Sequence, residues 1–419
     1  MMDQWYKIDN AGKVFHAVSE RANSSVFRIA MIMNEHVQPD KLQTSLDHVM
    51  KRFPMFAVKL GRGVFWDFLV ENDKKLFVKE ESTFPCSPVD PIETNGYLFR
   101  VLYYKKRISV EFFHSVTDGT GALEFLKALV FDYLNQTGEQ PNNDGTVIDV
   151  SGTPSEYELD DSYQNYKSSD SSKRTKEENA YQIKGKPIEE TVVIHGVMSA
   201  LELRKAAKTI NGTITTYLTS VLIMSIYREK LRFRNRSEPI KIAIPVNLRS
   251  IFPSKSLRNF FAVVNVGMEV TEETSLEMIH TEVVEQLKKK TEQEKLQQGL
   301  NHHVKLQNML TARFVPAILK YQAIRYGYKS YGERTKTLTL TNIGNISLPK
   351  DVSTAIEQME MVMYPTRKSP INGGICSIND RFVISFARSI EESDVIRAFF
   401  TQLVEISGID VEVYSNDGG

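Results

Sequence analysis

The chain has 419 residues, 41% hydrophobic, 25% charged and 10% aromatic. This is ordinary globular composition on a chain too long for one core, so two domains are expected. Its 52 basic residues balance 52 acidic ones, which excludes the basic excess of a nucleic-acid or anionic-membrane binder. Cys86 and Cys376, the two cysteines, lack the paired spacing of a disulfide framework or zinc site. MMDQWYKIDN carries no apolar signal core, and no run approaches the ~18 apolar residues of a membrane span. A cytoplasmic location follows as the expectation.

In chain order, SSVFRIAMIM reads as a strand. PDKLQTSLDHVMKRFP then sets Leu42, Leu46, Val49 and Met50 at helical spacing, with Pro54 ending the helix. YLFRVLYY and RISVEFFH flank Lys105-Lys106 as a hairpin. In its second strand Ile108, Val110, Phe112 and His114 share one face by period-two alternation. After Gly119, the residues Leu123, Leu126, Val130 and Leu134 predict an amphipathic helix. Residues 136–185 are polar and Ser-rich and read as an exposed linker or crossover. They separate an N-terminal domain, 1–135, from a C-terminal domain, 186–419.

Beyond the linker, TVVIHGVM predicts a strand and SALE a helix start at Ser199 to Glu202. Asn211-Gly212 breaks that helix before a second, apolar one. KIAIPVNLR, FFAVVNVGMEV, TLTLTNIG and MEMVMYP predict strands, with one long charged helix near 275–300 between the second and third. Near the C-terminus a second hairpin turns at Asn379-Asp380 and leads into a helix. RISVEFFHSVTD lies over RFVISFARSIEE with Arg381 on Arg107 and Arg388 on His114. Two related halves are implied, with the histidine in the first alone.

FFHSVTDGTG therefore places a histidine at a strand end and Asp118-Gly119 just beyond. A histidine continuing an apolar face is buried, where desolvation disfavours the imidazolium and preserves a neutral base. The same residues also fit a satisfied core histidine and a helix-capping aspartate, so the pattern alone leaves both readings open.

His114, Asp118 and Gly119 form an HxxxDG pattern that resembles the motif of the chloramphenicol acetyltransferase-like superfamily. That superfamily includes plant BAHD acyltransferases, peptide-synthetase condensation domains and, most similar here, alcohol acetyltransferase-like bacterial proteins. IPVNLR, LRNFFAVVNVG and TLTNIGNISLP follow in the family's order. The resemblance implies an α+β fold, a two-layer pseudodimer of two acetyltransferase-like domains with an active-site tunnel between them. It implies His114 as general base, Asp118 as structural support of the histidine loop, and Arg249 as its ion-pair partner, with Arg28 and Arg100 as alternatives. Thr341, Asn342 and Asn259 are candidates for oxyanion donation or lining the site.

The implied activity is transfer of an acyl group from a thioester to an alcohol or amine through a direct ternary complex. Acyl-CoA or a phosphopantetheinyl thioester serves as co-substrate, with no bound cofactor and no metal; a monomer suffices. Condensation domains carry two successive histidines, whereas Phe113 precedes His114 here, which counts against peptide-bond formation. A carrier-protein-fed enzyme and a catalytically silent thioester-binding scaffold are the alternatives. His302-His303 point about 100° apart on a helix and do not chelate one metal easily.

Overall fold

The computed structural model describes residues 5–20, 23–168, 177–233, 238–310 and 315–416. Three sheets organise them. The first has five strands, in the order Ile356–Val362, Val26–Met33, Arg107–Phe113, Phe99–Tyr104 and Lys79–Glu80. The largest has seven, in the order Phe261–Met268, Ile240–Asn247, Leu338–Asn345, Ile371–Ile378, Arg381–Ile390, Pro187–Ser199 and Glu412–Ser415. A small sheet of Trp5–Lys7, Phe68–Glu71 and Val58–Gly61 stands beside them.

The histidine strand follows its alternation. Ile108, Val110 and Phe112 are fully buried in a core shared with helices Pro39–Arg52 and Gly119–Thr137. Phe112 stacks on Phe99 at 4.5 Å and meets the edge of Phe125 at 5.7 Å, geometries that add to area burial. The seven-stranded sheet is covered on both faces, again by alternation. Val383 and Ala387 of Arg381–Ile390 join the first core, and Phe382, Ile384 and Phe386 the second. The second core gathers helices Ile214–Ile226 and Asp394–Ser407.

The hairpin-then-helix unit occurs twice. Phe99–Tyr104 and Arg107–Phe113 turn through Lys105-Lys106 into Gly119–Thr137; Ile371–Ile378 and Arg381–Ile390 turn through Asn379-Asp380 into Asp394–Ser407. Each turn opens on a left-handed residue, Lys105 (φ 50°) and Asn379 (φ 53°). Strand Ile356–Val362 crosses between halves: it pairs antiparallel with Val26–Met33, so the first sheet is completed from beyond the linker.

Other details differ from the sequence expectation. The charged segment forms two helices, Leu276–Lys290 and Gln293–Leu310. Lys288 to Lys290 occupy the last turn of the first, where cations suit the helix C-terminus. The crossover is less exposed than its composition suggests: Tyr163, Tyr181 and Ile183 are buried, and Glu158 holds Arg52 by two 2.7 Å hydrogen bonds. Its Ser-rich centre, 169–176, lies outside the described residues. Among the described residues no helix is long and apolar enough to cross a membrane.

Candidate active site

His114 directly follows its strand, and its backbone N–H donates to the carbonyl of Ser25 at 2.8 Å. Ser25 is fully buried with φ +53°, a left-handed conformation that costs free energy for a non-glycine residue and gathers at functional sites. The chain then reverses and starts helix Gly119–Thr137 with Asp118 as N-cap. Asp118 Oδ1 accepts from the N–H groups of Thr120 (3.0 Å) and Gly121 (3.3 Å), satisfying donors that the first turn leaves unpaired.

The second aspartate oxygen faces the other half of the chain. Oδ2 accepts from Arg249 Nη1 and from the Phe260 N–H, both at 2.8 Å. Arg249 also donates to the carbonyls of Ser256, Phe260 and Arg258, drawing the segment from 256 to 260 around the carboxylate. Thr117 Oγ1 donates to the Leu257 carbonyl at 2.6 Å. A Cβ on Gly121 would lie 2.1 Å from that carbonyl oxygen, so only glycine permits the approach.

That segment brings Asn259 onto the histidine. Asn259 Oδ1 lies 3.0 Å from His114 Nδ1, and Nδ2 donates to the His114 carbonyl at 3.0 Å. Nδ2 also reaches Asp9 Oδ2 at 3.2 Å and Oδ1 at 3.3 Å. Asp9 is the N-cap of helix Asn10–Val18, accepting from Gly12 N–H at 2.7 Å, and Arg258 Nε stands 3.6 Å from it. The same helix places Phe15 flat on the imidazole, ring centroids 3.9 Å apart. Phe27 (4.8 Å) and Phe261 (5.6 Å) complete an aromatic collar.

The electrostatics follow from this burial. His114 is 7% exposed, and desolvation lowers its pKa to about 4 against the weaker opposing pull of Asp118, so the ring is neutral at pH 7. Burial raises the Asp9 pKa, opposed by Arg258 and its hydrogen bonds. Behind it, burial raises Asp161 to about 6 and lowers Lys13 to about 8. Nδ1 is the ring nitrogen that faces Asn259.

Of the residues singled out from sequence, His114, Asp118, Gly119, Arg249 and Asn259 converge. Gly119 is the first residue of the helix, and a Cβ there would stand 3.2 Å from Ile343 Cγ2. Arg28 and Arg100 do not serve Asp118. Each directs Nε at 2.7 Å to one oxygen of the fully buried Glu111, because the three are cross-strand neighbours in register. Asn342 donates to Thr215 Oγ1 at 2.8 Å and accepts from Gly344 N–H at 2.7 Å. Thr341 pairs with Gly374 in the sheet, and neither Thr341 nor Asn342 hydrogen-bonds His114. Asp9, Phe15, Ser25 and Phe261 escaped the sequence reading; the one local signal was Asp9, a helix-capping type three residues before Gly12. Among the described residues no three His, Cys, Asp or Glu side chains form a metal-binding group.

A family model described as alcohol acetyltransferase matches residues 157–363, a span that holds Arg249, Asn259, Thr341 and Asn342 but not His114. Polyketide synthase associated protein 5 from Mycobacterium tuberculosis shares the fold at TM-score 0.61 and 14% identity, over 96% of this chain and 97% of that one. The epimerization domain from the third module of tyrocidine synthetase B aligns at TM-score 0.62 and 10% identity, over 97% of each chain. Residues 157–363 are thus similar to the alcohol acetyltransferase family, and the whole chain shares its fold with these solved structures. TRI101 of F. graminearum, in a structure complexed with coenzyme A and T-2 mycotoxin, aligns with this chain at TM-score 0.61 and 10% identity, over 94% of this chain and 96% of that chain. No curated protein sequence matches significantly. The fold class expected from the sequence, an α+β pseudodimer of two acetyltransferase-like halves, is the one observed.

Proposed function

We propose that the protein is an acyl-CoA-dependent acyltransferase that moves an acyl group from the thioester to an alcohol or amine. The observation that carries this reading is a buried, neutral His114 whose Nδ1 faces Asn259, held where the two halves meet. Nε2 takes the proton from the acceptor as its oxygen or nitrogen attacks the thioester carbonyl. The tetrahedral intermediate collapses, the carbon–sulfur bond breaks, and the leaving thiolate regains the proton from Nε2. No acyl-enzyme is invoked, and the two thiols do not suit one: Cys86 and Cys376 are buried, with pKa values pushed well above the ordinary thiol range.

The alcohol acetyltransferase match and the coenzyme A complex of TRI101 support the choice of donor. The collar of Phe15, Phe27 and Phe261 suits an apolar group beside the base. Thr341 is assigned as the oxyanion donor ahead of Asn342, whose amide already serves Thr215 and Gly344. Asp118 and Arg249 hold the loop and take no part in proton transfer. A single cytoplasmic chain is sufficient, since every residue named here comes from it.

The likeness to a peptide-synthetase epimerization domain favours a second reading, in which a carrier-bound thioester replaces acyl-CoA. Thiol release from short- and medium-chain acyl-CoAs with pooled alcohols and amines tests the first. Acceptor-dependent release that His114→Ala abolishes is the expected result. Release unchanged in that variant removes His114 as base; release only from acyl-carrier protein moves the assignment to the second reading.

A further inference from the structure

We propose that Asn259 and Asp9 are positioning residues that lock His114 in the tautomer with the proton on Nδ1 and the lone pair on Nε2. The inference rests on the reading of His114 as base. A neutral imidazole has one donor nitrogen and one acceptor, and the partner of one decides the role of the other. The partner here is an amide, which presents a donor end and an acceptor end.

The hydrogen-bond network fixes which end faces the ring. Asn259 Nδ2 lies 3.0 Å from the His114 carbonyl oxygen, which can only accept, and 3.2 Å from Asp9 Oδ2. Both amide hydrogens are thereby assigned, and the amide orientation does not depend on the charge of Asp9. Oδ1 is left facing Nδ1 at 3.0 Å, so Nδ1 must donate. Turning the amide over would set its oxygen against the His114 carbonyl oxygen and Asp9 Oδ2, leaving two acceptors face to face with a third. All these atoms are buried, where an unmade hydrogen bond carries its full desolvation cost.

Asp9 holds the amide while being held itself. It is 0% exposed, caps helix Asn10–Val18 through Gly12 N–H at 2.7 Å, and stands 3.6 Å from Arg258 Nε. That helix also carries Phe15, stacked on the imidazole at 3.9 Å, which restrains ring rotation. One cap thus governs the proton position through Asn259 and the ring plane through Phe15. An amide between carboxylate and imidazole has a further consequence. It orients the ring without placing a full negative charge on it, so the tautomer is fixed while the ring remains neutral.

The test reads the tautomer directly. In protein labelled with 15N-histidine, the ring nitrogens of His114, assigned by comparison with His114→Gln, are measured near pH 7.5. The expected wild-type result is a protonated Nδ1 and an unprotonated Nε2. Asn259→Leu is expected to lose that preference and to lower kcat by roughly tenfold or more, part of the 10²–10⁴ a general base supplies, with the KM for acyl-CoA within about twofold. Asn259→Asp keeps an acceptor at Nδ1 and so keeps the Nδ1–H form, at a loss of stability because its second oxygen faces the His114 carbonyl and Asp9. Asp9→Asn weakens the preference without touching the ring. A wild-type ring protonated on Nε2 overturns the proposal, as does a folded Asn259→Leu with unchanged tautomer and kcat. If Asn259→Leu does not fold, the wild-type and Asn259→Asp spectra decide. Activity surviving in His114→Ala would instead refute the base assignment and leave the tautomer result standing.

Discussion

Replacing Asp118 by asparagine probes the centre of the motif with almost no change of shape. Four donors converge on the carboxylate: the N–H groups of Thr120 and Gly121 on one oxygen, Arg249 Nη1 and the Phe260 N–H on the other. An asparagine can accept on one side only, and its NH2 must face two donors on the opposite side. If it keeps the helix cap, Arg249 and Phe260 N–H lose their acceptor. Arg249 and Asp118 side chains are 11% and 7% exposed, so the attraction is little screened. Breaking such a buried pair costs about 3–5 kcal/mol. At ~2.1 cal/mol/K per residue, 419 residues give an unfolding entropy of about 0.9 kcal/mol/K, hence a fall in Tm of about 3–6 °C. The loop that carries Asn259 also loosens, so kcat should fall more than the KM for acyl-CoA rises. Calorimetry and steady-state kinetics on the same preparation check both. A fall in Tm below about 1 °C together with unchanged kcat would refute the reasoning.

Desolvation holds His114 near pKa 4, so the acid limb of kcat/KM should lie well below 6.5, and a midpoint at or above 6.5 would contradict the buried-base account. The same depression acts on stability. The unfolded chain takes up this proton below pH 6.5 and the folded chain only near 4, so stability falls as pH drops through that window and the loss then levels off. The gap is worth about 3 kcal/mol, and chemical denaturation of His114→Gln between pH 7 and 4 should lack that part of the slope. Gly121→Ala, whose Cβ would stand 2.1 Å from the Leu257 oxygen and 2.2 Å from Thr117 Oγ1, should lower stability by about 1–3 kcal/mol and suppress activity. Gly119→Ala meets only Ile343 Cγ2 at 3.2 Å and should retain most of both; equal effects in thermal melts would contradict the asymmetry. Glu111→Gln leaves Arg28 and Arg100 facing a neutral amide in a fully buried site, and an unfolding midpoint within about 1 °C of wild type would count against a structural charge cluster there.

The local elements of the site were legible in the sequence because they are short-range. Alternation placed Ile108, Val110 and Phe112 in the core, and the step from His114 to Asp118-Gly119 marked a strand end and a helix start. Arg28 and Arg100 were misread as alternative partners of Asp118 because strand arginines give no clue to their neighbours before pairing is known. Once Arg28 is opposite Glu111 and Glu111 opposite Arg100, the three form a lateral charge row and no arginine of that row is free for Asp118. Asn259 is one of three candidates in the sequence for lining the site, and in the structure its Oδ1 faces the histidine ring. Its role depends on how the segment from 256 to 260 docks on the first half, which no periodicity encodes. Asp9 carried only the signature of a cap, and a cap ordinarily serves its own helix alone.

The four-residue step from His114 to Asp118 then has a physical meaning. The histidine must end its strand to leave the sheet, and the aspartate must open the next helix so that one oxygen is consumed locally and the other projects outward. The outward oxygen is taken by Arg249 and the Phe260 N–H, both from the second half. Asn259, the residue before Phe260, reaches His114 as a result. A single segment of the second half therefore engages both residues of the motif, and one loop displacement would release both at once. The first half carries His114, and the second half supplies the Asn259 amide that faces its Nδ1.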